Sequence, residues 1–156
     1  MALLASCSSQ PASYSYNFVY GKSVLMRGRY AVAPKDAPET VKRAVAAGNR
    51  LQGKPYIYGG GHRSFEERGY DCSGTTSYML HYAGLLASPT PSDAFRSYGK
   101  PGPGKWITIY AKRGHVFSVI GGLRLDTGYN GQNEGPKWST RARPTKGFVA
   151  RHPPGL

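Results

Sequence analysis

Three consecutive glycines, Gly59-Gly60-Gly61, followed shortly by Asp71-Cys72-Ser73-Gly74, constrain this chain more than any other feature. Consecutive glycines permit sharp turns and close backbone approach. Asp71 is a natural N-cap, so the stretch predicts a helix that starts at Cys72. A helix start carries free N–H groups and partial positive charge, and both favour a thiolate over a thiol. A free cysteine is more often a small buried hydrophobe. Here the acidic cap, the helix start and the glycine loop together favour a reactive thiol at a cleft.

The rest of the composition limits what can surround that thiol. A chain of 156 residues fits one compact domain plus a tail. With 21 glycines and 12 prolines, a purely helical bundle is excluded. No stretch approaches the ~20 apolar residues that span a bilayer. The net charge of +13 draws the chain to polyanions such as nucleic acid, anionic lipid or acidic wall polymer. The basic residues are dispersed and form no block, and no nucleic-acid-binding motif is present. A generally basic surface with no nucleic-acid partner is therefore expected. Cys7 and Cys72 lie in unlike contexts, so neither a disulfide nor a cysteine-rich zinc site is expected, and no cofactor is implied.

Residues Leu3-Leu4-Ala5-Ser6-Cys7-Ser8-Ser9 resemble a bacterial lipobox, in which the cysteine carries a lipid anchor. Only Met1 to Leu4 precede the site, and a complete signal peptide also has a basic region and a longer apolar run. In that reading Cys7 tethers the chain to a membrane and takes no part in chemistry. Residues 8–15 are rich in Ser, Pro and Ala and read as a linker. The chain accordingly divides into a segment 1–33, made of the lipobox-like stretch, linker and extended arm, and a catalytic domain 34–156.

Within 1–33, residues 14–33 read as a loose strand pair or arm with a turn at Gly21-Lys22. Asp36 can cap a helix of about 39–52, with Pro38 near its first turn and an apolar stripe of Val41, Ala44, Val45 and Leu51. Tyr56-Ile57-Tyr58 is short and β-prone. The cysteine helix runs over about 72–86, with Met79, Tyr82, Ala83 and Leu86 on one buried face. Strands follow at 106–111, 115–120 and 123–127, the last two joined by a Gly121-Gly122 hairpin turn. Phe148-Val149-Ala150 reads as a short final strand. Helices followed by antiparallel strands indicate an α+β fold.

A cysteine nucleophile needs a base, and His115 heads the second strand. His62 lies in a loop and His152 in the tail. His81 sits nine residues beyond Cys72, roughly 13 Å further along the helix axis. An imidazole base also needs a group that holds its tautomer. Asp126, across the hairpin turn from His115, is the best candidate, with Asn130 and Asn133 as rivals. The alternative for Asp126 is a surface carboxylate paired with Arg124 or Arg113. Tyr56 either sends its hydroxyl toward the sulfur or simply packs.

Taken together, Lys54-Pro55-Tyr56-Ile57-Tyr58-Gly59-Gly60, Asp71-Cys72-Ser73-Gly74 and Gly114-His115-Val116 resemble the NlpC-type cell-wall cysteine peptidases. The resemblance runs from about Pro38 to Thr127. It implies a papain-like fold with helices packed on an antiparallel sheet, and hydrolysis of amide bonds in peptidoglycan stem peptides at the bacterial envelope. It also implies Cys72 as nucleophile, His115 as base and Tyr56 near the oxyanion, with Asp126 at or beside the third position, where the family often has histidine. A monomer is expected. The family's Pro-Gly-Asp turn is replaced here by Pro103-Gly104-Lys105, and the tail after Gly128 has no counterpart in it. Two alternatives stay open: an amidase, acyl-transfer enzyme or antibacterial effector built on the same dyad, and a non-catalytic module that binds anionic wall polymer through its basic surface.

Overall fold

The protein was analysed as a computed structural model that describes residues 11–128 and 134–156. Cys7, Asn130 and Asn133 lie outside the described residues. The elements in chain order are β1 (Ser13–Tyr14), β2 (Leu25–Arg27), β3 (Tyr30–Val32), α1 (Glu39–Arg50) and α2 (Cys72–Tyr82). A 3-10 turn at Ala94–Ser97 leads to β4 (Lys100–Pro101), β5 (Ile107–Lys112), β6 (His115–Ile120) and β7 (Leu123–Asp126). The chain ends with β8 (Lys137–Ser139), β9 (Arg143–Pro144) and β10 (Val149–His152). Six strands form one sheet in the order β4-β10-β5-β6-β7-β8, and every neighbouring pair is antiparallel. Two helices against such a sheet make the α+β fold.

The core lies between the helices and one face of the sheet. Val41, Ala44 and Val45 of α1 and Met79 and Leu80 of α2 meet Ile109, Val116, Ile120, Leu123 and Leu125. The opposite face carries a smaller cluster of Tyr110, Phe117, Phe148 and Ala150, with Val119 packed against it. The alternation of β6 is thus used on both sides. Residues 11–33 pack onto the same body: Val24 and Ala31 are in the main core, and the Val24 N–H donates to the Gly121 carbonyl at 2.8 Å. Asn49 of α1 binds both backbone groups of Ala31 and accepts from the Trp138 indole.

Several local expectations are corrected. The cysteine helix stops at Tyr82, not near residue 86. Gly84 takes φ +81°, its N–H donates to the His81 carbonyl, and the Leu85 N–H donates to the Leu80 carbonyl. That is a Schellman ending, which a glycine in the left-handed region permits. Nor does α2 bury one face only; every residue from Ser73 to Leu80 is buried. The helix is enclosed by the sheet, α1 and the glycine loop, so no amphipathic stripe is needed. Asp36 does not cap α1, whose N-cap is Pro38 without a side-chain hydrogen bond. The expected turn at Gly21-Lys22 is present, closed onto the Val19 carbonyl, but the strand pair that follows it turns at Gly28-Arg29, between paired Arg27 and Tyr30. Residues 56–58 form no strand; flanking bonds from Ile57 N–H to the Tyr70 carbonyl and from Tyr70 N–H to the Pro55 carbonyl hold them instead.

The glycine motif has a steric cause. A Cβ on Gly74 would stand 1.9 Å from the Gly60 carbonyl oxygen, and one on Gly60 would stand 2.2 Å from that of Gly69. The loop backbone lies directly on the first turn of α2, where no side chain fits. Gly74→Ala is expected to lower stability by about 1–3 kcal/mol, the usual range for overpacking. Urea denaturation checks this, and an unchanged midpoint would contradict the contact.

Candidate active site

Asp71 ties the glycine loop to the helix. Its Oδ1 accepts from the Gly74 N–H at 2.8 Å and its Oδ2 from the Gly59 N–H at 3.1 Å. One carboxylate thereby caps α2 and fixes the turn that approaches it. The same carboxylate meets His62 Nε2 at 3.1 Å, and that nitrogen also lies 2.8 Å from Ser73 Oγ. In the sequence His62 lies in a loop, and nothing local links it to Asp71. Ser73 is buried, and its hydroxyl and the Asp71 carboxylate converge on one ring nitrogen of His62, so the cluster acts as a brace at the helix start.

Cys72, the first residue of α2, is half-buried at the edge of the main core. Its sulfur acts on His115, the first residue of β6, strongly enough to help raise the pKa of that ring. His115 Nε2 lies 2.9 Å from Asp126 Oδ1. The structure therefore brings together three of the four site residues expected from sequence. Tyr56 is close enough for its phenol to be pushed up, first by burial and then by negative charge on Cys72 and Asp71. His81 stacks on Phe65 at 3.7 Å and binds the Leu86 carbonyl, while His152 binds the Gly102 carbonyl.

Asp126 is buried, not a surface carboxylate. Its Oδ2 accepts from Arg124 Nη1 at 2.5 Å and from Arg143 Nη1 at 2.6 Å. Burial alone would raise its pKa, but the hydrogen bond and charge of His115 and the charges of Arg143 and Arg124 outweigh it and hold the group low. Burial would likewise strip the proton from His115. The hydrogen bonds to Asp126 and then to Cys72 prevail and push its pKa up to about 9. The ring thus keeps its proton at neutral pH.

Arg143 was not singled out from the sequence. It comes from β9 in the tail, and its guanidinium sits over the rings of Phe117 and Phe148 at 4.6 and 5.2 Å. Its Nη1 is 3.3 Å from His115 Nε2. Only the residue count between Asp126 and Arg143 is visible in sequence, and it carries no signal of contact.

Neither a model of a known protein family nor a curated protein sequence matches the chain. Solved structures do resemble it. The peptidoglycan hydrolase RipB of Mycobacterium tuberculosis aligns with 73% of this chain at TM-score 0.55 and 21% identity. An NlpC/P60 family protein of Bacillus cereus covers 72% of it at 0.51 and 19%, and NlpC1 of Trichomonas vaginalis covers 75% at 0.52 and 17%. The alignments take in 64%, 39% and 45% of those three chains, respectively. The likeness is one of backbone architecture: the chain has the α+β, papain-like fold of NlpC/P60 domains.

Proposed function

We propose that this protein is a cysteine peptidase that hydrolyses amide bonds in peptidoglycan stem peptides. The observation that carries the reading is the arrangement around one sulfur. Cys72 stands at the capped start of α2 and acts on the His115 ring, which buried Asp126 holds through Nε2. The shared fold with RipB, a peptidoglycan hydrolase, supports the choice of substrate.

In this mechanism Cys72 and His115 act as a nucleophile and proton-transfer pair at the helix start. The thiolate attacks the amide carbonyl and forms a tetrahedral intermediate. The Cys72 backbone N–H, with the Tyr56 hydroxyl beside it, donates to the developing oxyanion. His115 gives its proton to the leaving amine as the C–N bond breaks, leaving an acyl-thioester. The neutral ring then takes a proton from water, whose oxygen attacks the thioester. The collapse releases the carboxylate and restores the thiolate–imidazolium pair. Asp126 keeps the ring in one orientation throughout. The same reading places the protein at the bacterial envelope as a monomer, tethered to the membrane through Cys7.

Incubated with purified muropeptides, the protein is expected to give two products whose masses sum to the parent plus one water. Intact muropeptides after prolonged incubation would reject the substrate class. The pH dependence has a definite sign. The His115 pKa is raised from its ordinary 6.5 to about 9, so the protonated ring is favoured by the fold. Its ion pair with Asp126 contributes fully below pH 6.5 and is lost as pH climbs through about 9. The kcat/KM for cleavage should fall along the same alkaline limb, because the proton donor is lost there.

A further inference from the structure

Six of the eight large hydrophobic side chains exposed among the described residues fall within residues 18–32: Phe18, Val19, Tyr20, Leu25, Tyr30 and Val32. Tyr20 is 92% exposed. They are gathered rather than scattered. In the β2–β3 hairpin, Leu25 pairs with Val32 and Arg27 with Tyr30, and all four side chains are on the exposed face, while Ala31 points into the core. Phe18 and Tyr20 join Leu25 and Val32 around one groove of about 260 Å3, which Lys35 and Asp36 also line. The turn that presents Tyr20 is closed by Lys22 and Ser23 N–H groups donating to the Val19 carbonyl, which sets Lys22 beside the aromatic tip. Residues 18–36 contain Lys22, Arg27, Arg29 and Lys35 against a single acid, Asp36.

We infer that this face docks on an anionic bilayer surface. Exposed aromatic and aliphatic side chains with a basic collar match the region where acyl chains meet negatively charged headgroups. Patches of this kind on a soluble body usually mark an interaction site. The position in the fold adds a second argument. Val24, next to Leu25, binds the Gly121 carbonyl just beyond the C-terminal end of β6, whereas His115 begins that strand. A strand of six residues separates its ends by roughly 17 Å. A molecule resting on residues 18–32 therefore holds its Cys72–His115 end away from the lipid, toward material outside the bilayer. The docking itself needs no catalysis, so it stands or falls apart from the peptidase reading.

Sedimentation with vesicles tests it, using the full chain carrying Cys7→Ser so that no attached lipid contributes. The protein should bind vesicles of mixed phosphatidylglycerol and phosphatidylcholine, and bind pure phosphatidylcholine more weakly. Phe18→Ser with Tyr20→Ser should weaken anionic-vesicle binding about tenfold or more. Lys22→Glu with Lys35→Glu should weaken it as well, and both pairs should cleave muropeptides like the parent. Undiminished binding by the aromatic pair, or equal binding to neutral vesicles, would overturn the inference. So would a dimer in solution that the aromatic pair of substitutions dissolves, since the face would then belong to a second copy.

Discussion

Replacing Asp126 with alanine is expected to cost about 3–5 kcal/mol of stability, the penalty for breaking a buried ion pair from one side. Asp126 pairs with both Arg124 and Arg143, two buried guanidinium groups, and it also holds His115. Its removal takes this carboxylate away from both buried guanidinium groups and from the His115 ring. A typical domain has only about 5–15 kcal/mol to lose, so the variant sits near the edge of folding. Asp126→Asn keeps the volume and an acceptor oxygen and should lose less. Urea denaturation of both variants checks the order. An alanine variant as stable as the parent would mean that the cluster contributes nothing to the fold.

The second large effect is confined to activity. Cys72→Ala should lower muropeptide cleavage by at least ~10⁴-fold, because the nucleophile has no substitute and the remaining residues act as a unit with it. Folding should be nearly untouched. Cys72 is only half-buried at the core margin, and alanine keeps the helix start with Asp71 still bonded to the Gly74 N–H. A variant that melts like the parent yet cleaves nothing separates chemistry from structure. Residual cleavage within tenfold of the parent would remove Cys72 from the mechanism.

Much of this geometry was legible in the chain because it depends on short-range rules. Asp71 caps α2 as its residue type demands, and Gly60 and Gly74 mark a backbone contact that admits no side chain. The β6–β7 hairpin follows from its alternation and the Gly121-Gly122 turn, and it is this hairpin that sets Asp126 beside His115. What was hidden depends on distant partners. Arg143 reaches Asp126 from a strand whose position is fixed by pairing with β1, and residues 143 and 144 give no hint of that pairing. His62 meets Asp71 only because the glycine loop folds back over the helix start. The helix length was misread because Gly84 outweighs the apolar spacing that continues to Leu86. Tyr56 to Tyr58 have strand-forming residues yet form no strand, so tertiary context overrides propensity.

The central claim is that an imidazole activates one sulfur, and the most direct measurement is the alkylation rate of Cys72 by iodoacetamide at neutral pH. Intact mass and peptide mapping identify the modified residue. The account predicts fast modification of Cys72 in the parent and a loss of about tenfold or more in His115→Ala, with Cys72 still accessible. Equal rates in the two proteins would show a sulfur indifferent to His115 and would contradict the mechanism at its root.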